Sequence, residues 1–458
     1  MPHGRAITMR PTYATRLQSM TDRHRPNVLY IHSHDTGRYI QPYGHAVPTP
    51  AFQRLAEEGV LFRQNFCIGP TCSPSRAALL TGQTPHSCGQ LGLAHRGFEL
   101  QHPERHLAWT LRNNGYSTAL IGVQHVTKDP ARTGYQHVPE LGSRRAAHVT
   151  PEVVAFLACA DRNTPFFLDV GFQETHRTFH AADESVSAAE DSRYCLPPPP
   201  LPDTPETRAD FASFKASARV FDAAVGEILA ALERHGLAEN TLVILTTDHG
   251  IAFPHMKCNL TDHGTGVLLI MRGPGGLDSG KVADAMVTHL DVFPTICDVT
   301  GIAPPEWLQG TSLLPLVRGQ VNRLHDEVFG EVNYHAAYEP QRSVRTNRWK
   351  YIKRYDDFPT PVLANCDPGA SKELWLARGW RERPVDAVQL YDLVFDPQER
   401  HNVAGDAGRV SVMAEMKERL ERWMRATDDP LLAGPVPAPA EANVTAQHDV
   451  TNRPPAAV

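Results

Sequence analysis

The stretch Asn27-Val28-Leu29-Tyr30-Ile31-His32-Ser33-His34-Asp35-Thr36-Gly37-Arg38 decides how this chain folds. Asn27 to Ile31 is a short, mainly apolar run of the kind that forms a strand buried on both faces, as strands of a parallel sheet are. It leads straight into a polar cluster, so His32, His34 and Asp35 fall at the strand's carboxyl end, the edge at which open α/β sheets place ligands. The same order recurs three times: residues 117–122 before Val123-Gln124-His125, 165–171 before Glu174-Thr175-His176-Arg177, and 241–245 before Thr246-Thr247-Asp248-His249-Gly250. Between the last two, Val220, Phe221, Ala224, Val225, Ile228, Leu229 and Leu232 recur at helical spacing, and Gly236 ends the pattern. Strand, helix, strand predicts a parallel sheet with helices packed on it. A single histidine at such a place is ordinarily a loop or capping residue. Four apolar runs that each close on Asp or His mark one edge of the sheet as a site.

Composition sets the outer bounds. With 458 residues, 41% of them hydrophobic, the chain can bury one large core and a smaller second unit. A net charge of -6 gives no basic footprint for nucleic acid or an anionic membrane, so neither is an expected partner. The eight cysteines are scattered without a Cys-x-x-Cys pair and read as reduced and structural. No segment is apolar over a bilayer's width, and the Arg-rich leader lacks a signal-peptide core, so a cytoplasmic location is expected. The chain divides into a flexible extension (1–24), a main α/β domain (25–325), a smaller α+β subdomain (326–428) and a Pro/Ala-rich tail (429–458). In the subdomain, 345–352 and 389–393 read as strands and 412–424 as an amphipathic helix; the tail, without periodicity, reads as extended or disordered.

Cys72-Ser73-Pro74-Ser75-Arg76 reads as a helix start with a cysteine just ahead of it: Ser73 suits the N-cap, Pro74 the first turn, and Gly82 the C-terminal stop. Free backbone N–H groups and the Arg76 guanidinium would favour an anion or a nucleophile beside Cys72. The bland alternative is a buried, inert thiol.

In its context, Cys-x-Pro-x-Arg followed by Ala-x-Leu-Leu-Thr-Gly resembles the signature of the type I sulfatases. The resemblance runs from about Arg25 to Val403. Leu120-Ile121-Gly122-x-x-His125 is similar to the family's Gly-Lys-x-His segment, Asp248-His249-Gly250 to its Asp-Asn-Gly metal motif, and Tyr391-Asp392-Leu393 with Asp396-Pro397 to its C-terminal signature. His176-Arg177 and Asp248-His249-Gly250-Ile251-Ala252-Phe253-Pro254 look most like the heparan N-sulfatase branch and its bacterial relatives. What this implies is an alkaline-phosphatase-like fold with a mixed, mostly parallel central sheet flanked by helices.

The resemblance also implies that Cys72 is oxidised after translation to Cα-formylglycine by a maturation enzyme, and that the hydrated aldehyde supplies the nucleophile. Asp35, Asp248 and His249 match the ligands of a divalent cation, with Cys72 facing it and His34 as a further ligand. Carboxylates suit Ca²⁺ or Mn²⁺, and imidazole at 34 and 249 moves the balance toward Mn²⁺ or another transition metal. His125 matches the base that frees the sulfo-enzyme, His176 and Lys257 the leaving-group acids, and Arg76 the guanidinium that holds the nucleophile. Val123 stands where most sulfatases have lysine; Arg177 or Lys128 could compensate for the lost cation.

Arg177, His335 and Arg342, the last two in a cluster with Glu331, Tyr338 and Arg345, are candidates for docking the rest of a substrate; an ordinary solvated interface is the alternative. The expected substrate is a sulfate ester or sulfamate, on a small molecule or a saccharide. The rival readings are a phosphonate monoester hydrolase or phosphodiesterase of the same superfamily, and an inactive binding protein on the same fold. Nothing in the sequence sets the oligomeric state, a homo-oligomer included.

Overall fold

Seven strands form the main sheet: β1 (Asn27–Ser33), β2 (Val60–Phe66), β3 (Ser117–Gly122), β4 (Phe166–Gly171), β5 (Thr241–Thr247), β6 (Leu269–Arg272) and β7 (Lys281–Thr288), in the order β3-β4-β1-β5-β6-β2-β7. The computed structural model describes residues 25–179 and 191–452; the expected extension 1–24 lies outside them. β1 lies parallel between β4 and β5, with Tyr30 opposite Asp169 and Ile244, and only β6 runs antiparallel to its neighbours. The sheet is therefore mixed and mostly parallel. The four apolar runs of the sequence are β1, β3, β4 and β5; β2, β6 and β7 form the other half.

Alternation along each strand sends apolar side chains to both faces, and both must be covered because each buried Val, Leu, Ile or Phe is worth about 1.5–3 kcal/mol. On one face Val28, Tyr30, Phe167, Ile244 and Met271 meet α2 (Cys72–Thr81), α3 (Leu107–Asn113) and α6 (Val292–Thr300) through Leu79, Leu111 and Phe293. On the other, Leu29, Ile31, Leu168, Leu245 and Ile270 meet α1 (Pro50–Glu58), α4 (Ala146–Ala158) and α5 (Pro205–Arg234) through Leu55, Val153, Phe221 and Ile228. The helical pattern read around Phe221 is the second half of α5, which starts at a Thr204 capping box and is capped by His235, with Gly236 in the left-handed region just beyond.

A second, antiparallel sheet, β11-β10-β9-β8, is built from β8 (Glu327–Tyr334), β9 (Tyr338–Thr346), β10 (Trp349–Arg354) and β11 (Val388–Asp392). Its Val344, Tyr351 and Leu390 pack on Met416, Leu420 and Met424 of α7 (Val410–Ala426). Residues 429–452, read from composition as extended or disordered, are pinned to this sheet: Leu431 and Val436 join its core, Asp429 pairs with Arg342, and Thr445 bridges Ala337. Composition alone misses this because the anchors are single residues among prolines and alanines.

Glu339, on β9, accepts a bond from Asn365 Nδ2 at 2.9 Å. Burial pushes its carboxyl up to about 7, although Arg354 and Asn365 pull the other way. Between the ordinary value of 4.5 and about 7 the folded protein keeps a proton that the unfolded chain has lost, so stability falls as pH rises through that window. Glu339→Gln is expected to flatten this fall by at most about 1.4 kcal/mol per pH unit in denaturant midpoints taken at pH 5, 6 and 7. Equal slopes in the two proteins would contradict the burial argument.

Candidate active site

Every residue of α2 is buried. The cap is Thr71 in extended geometry, one residue ahead of Cys72, rather than the expected Ser73, whose hydroxyl instead accepts the Ala94 N–H at 2.9 Å. Gly82 does end the helix, at φ 67, where a Cβ would lie 2.4 Å from Leu308. Cys72 thus occupies the first turn with the positive end of the helix dipole behind it, and Arg76, one turn on, shares its face. Burial pushes the Cys72 thiol far up, with Asp248 and Asp35 adding to the rise and Lys257 and Arg76 opposing it. A reactive thiolate is not what this pocket favours.

The carboxyl ends of the adjacent strands β1 and β5 bring Asp35 and Asp248 together. Asp248 Oδ1 accepts the backbone N–H of Asp35 (2.8 Å) and of His249 (2.9 Å), which fixes Asp35 in its left-handed conformation at φ 49. Oδ2 faces Arg76 Nη2 (3.0 Å), His34 Nδ1 (3.2 Å) and His249 Nε2 (3.6 Å). Burial alone would raise the Asp248 carboxyl, but the Arg76 guanidinium and the neighbouring His34 hold it well below the usual carboxylate range. His249 Nδ1 donates to the Gly250 carbonyl at 2.9 Å, so Nε2 carries the lone pair. That atom lies 3.2 Å from Asp35 Oδ1 and 3.3 Å from Cys72 Sγ.

Asp35 Oδ1 is buried without a hydrogen-bond donor, and one ligand atom each from His34, Asp35, Cys72 and Asp248 lies within 4.8 Å of the others. Two carboxylates and an imidazole lone pair converging on one point fit a divalent cation. His34 has its pKa lowered by burial first and Arg76 second, so it offers a neutral ring.

The remaining expected groups surround this centre. Lys257 Nζ sits 3.2 Å from Asp35 Oδ2 and 2.8 Å from Asp367 Oδ2, and these carboxylates hold it charged against its burial. His335, at the end of β8, is buried with Nδ1 unpartnered and kept neutral by burial and by Lys257. His125, at φ 55, bonds His95 Nδ1 through Nε2 at 2.8 Å, leaves Nδ1 unpartnered, and forms a second cluster with His34 and Cys72. His176 packs edge-on against His34, ring centres 5.4 Å apart.

Two docking candidates point elsewhere. The Arg177 fork grips Asp210 at 2.7 and 2.8 Å and stacks on Phe179 and Phe253. Arg342 is wholly buried, with its fork on Asp429 (2.5 and 2.9 Å) and Nη2 3.3 Å from Glu331. Each guanidinium already has a carboxylate in bidentate geometry, the arrangement of a structural ion pair.

Sequence reasoning passed over Asp367, His95 and a chain beneath the site. Arg76 Nη1 donates to His32 Nδ1, His32 Nε2 donates to Asp169 Oδ1 at 2.8 Å, and the Tyr135 hydroxyl donates to Asp169 Oδ2 at 2.5 Å. The signal was available: Asp169 is a charge inside a buried strand and therefore requires a partner.

The mixed sheet clasped by helices, with a helix-borne cysteine facing strand-end Asp and His residues, defines an alkaline-phosphatase-like α/β protein. The chain belongs to the sulfatase family: residues 26–302 match that family, and residues 256–374 match the N-sulphoglucosamine sulphohydrolase C-terminal region. It is 30% identical to human N-sulphoglucosamine sulphohydrolase over 89% of this chain and 92% of that one. A solved 2-O GAG sulfatase superposes with a TM-score of 0.71 at 23% identity, covering 90% of this chain and 94% of the other. A phosphonate monoester hydrolase from Silicibacter pomeroyi shares the fold at a TM-score of 0.66 and 20% identity, covering 89% and 97%. Among the described residues no helix is long and apolar enough to cross a membrane.

Proposed function

We propose that this chain is a sulfatase that hydrolyses a sulfate ester or sulfamate, on a saccharide or a small molecule, through a formylglycine made from Cys72 by a maturation enzyme and a divalent cation held by Asp35, Asp248, His249 and His34. The observation that carries the reading is the convergence of Cys72 Sγ and Asp35 Oδ1 on the His249 Nε2 lone pair, at 3.3 and 3.2 Å, at the head of a buried helix. The hydrated aldehyde would supply the nucleophilic oxygen, and the cation would lower its pKa and draw in the sulfate. Imidazole donors favour Mn²⁺ over Ca²⁺. Arg76 keeps Asp248 aimed inward while adding positive potential. Lys257, charged between two carboxylates, serves as a fixed cation, which leaves proton donation to the leaving group with His176. His125 Nδ1 is buried without a hydrogen-bond partner and is open to accept a proton. Among the described residues no disulfide joins the eight cysteines, and we read the setting as reducing and cytoplasmic.

The test is parallel turnover of an aryl sulfate, a sulfamate and a phosphonate monoester by protein matured in its own host. At least one sulfur substrate is expected to be hydrolysed well above the phosphonate, with activity lost on chelation and regained with Mn²⁺. Faster turnover of the phosphonate than of both sulfur substrates would transfer the chain to the rival class, whose fold it shares.

A further inference from the structure

Among the described residues, a cleft of about 800 Å³ opens beside the site, between the ends of β3 and β4 and the loop that carries His95. His125 forms part of its wall, and His125 also belongs to the cluster with His34 and Cys72, so the cleft adjoins the reacting centre. Val123, a small apolar side chain, lines it too. Its charged lining is Lys128, Arg144 and Glu140, a surplus of one positive charge.

Those two cations differ from the arginines that the sequence suggested. Arg177 and Arg342 are closed by Asp210 and Asp429, whereas Lys128 and Arg144 are exposed and make no ion pair among the described residues. Gln173 and Ser143 add neutral hydrogen-bonding groups of the kind sugar hydroxyls use. The volume exceeds what a single sulfate needs and falls in the range of a small-ligand pocket.

We propose that this cleft holds the sugar unit next to the one that reacts, and that Lys128 and Arg144 select a unit bearing an anionic group, a carboxylate or a second sulfate. The proposal rests on the function proposed above for the adjoining site, but binding in the cleft does not require turnover. Arg144 offers a planar fork to a carboxylate or sulfate, and Lys128 a mobile point charge beside it.

The experiment is calorimetric binding, at low salt, of three disaccharides that carry no sulfate on the reacting ring. The second ring is a uronate, the same ring with its carboxyl reduced to an alcohol, or a sulfated neutral sugar. The full-length protein is expected to bind one of the anionic forms about tenfold more tightly than the reduced one, two charge contacts of roughly threefold each. In the doubly substituted Lys128→Gln, Arg144→Gln protein the preference should fall to within about twofold, and Arg144→Glu should reverse it. Unchanged affinity for the reduced disaccharide shows that the cleft is intact in each variant. Whichever anion is preferred identifies the group recognised. A wild-type protein that does not discriminate, or a preference that survives the double substitution, overturns the proposal. Loss of sulfatase activity with the preference intact would overturn the function and leave this inference standing.

Discussion

Cys72→Ala is expected to lower turnover of the best sulfur substrate by at least about 10⁴-fold, the scale seen when a covalent nucleophile is deleted, while costing about 1 kcal/mol or less in stability. The two effects separate because of where the residue sits. Cys72 is on the first turn of α2, where alanine is a good helix former and only one buried sulfur atom is lost. The rest of the centre does not depend on that sulfur: Asp248 is held by two backbone N–H groups and Arg76, and His249 by the Gly250 carbonyl. Cys72→Ser should be as inactive as the alanine variant in a host that modifies only cysteine. The same prediction distinguishes the enzyme from an inactive binding protein. Peptide mass spectrometry of the native protein should find an aldehyde or its hydrate in place of the thiol at position 72. A thiol found there in the native host, or an alanine variant within tenfold of wild type, would remove the nucleophile from the proposal.

What the sequence made legible depends on whether the partner of a residue is close along the chain or is dictated by residue type. The four apolar runs that end in Asp or His are local patterns, and they became β1, β3, β4 and β5 with the candidate site residues at their carboxyl ends. β2, β6 and β7 carry a weaker signal: β6 has four residues, and β7 begins in solvent at Lys281 and Val282. Asp35, Cys72, Asp248 and His249 converge as expected because a cation or an oxyanion requires those chemistries together. The arginines were opaque. A guanidinium suits a substrate carboxylate and a protein carboxylate equally, and Asp429 lies 87 residues from Arg342. Asp169 and His32, 137 residues apart, become neighbours only through the β1–β4 register.

Arg342→Ala is expected to destabilise the protein by about 3–5 kcal/mol, the cost of removing one partner from a buried ion pair. Its guanidinium meets Asp429 through Nε and Nη2, Asn333 through Nη2, and the carbonyls of Val332 and Gln341 through Nη1. Glu331 Oε2 lies 3.3 Å from Nη2 and 2.7 Å from His86 Nδ1. Alanine would leave Glu331 and Asp429 facing each other with only His86 between them, at the point where the segment after α7 joins the small sheet. Arg342 now holds the Asp429 carboxyl below its usual range against the pull of burial. Without it that carboxyl would rise, so the folded variant would retain protons that the unfolded chain releases, and its deficit should widen from pH 5 to pH 8. Arg342→Lys keeps the charge but loses the fork and should recover only part of the loss. Urea unfolding at the two pH values measures all of this. A deficit below about 1 kcal/mol at both, together with a raised KM, would return Arg342 to the substrate side. A large, pH-dependent deficit places it with the structural groups that bind the C-terminal segment to the fold, and leaves recognition of substrate anions to cations that no carboxylate already holds.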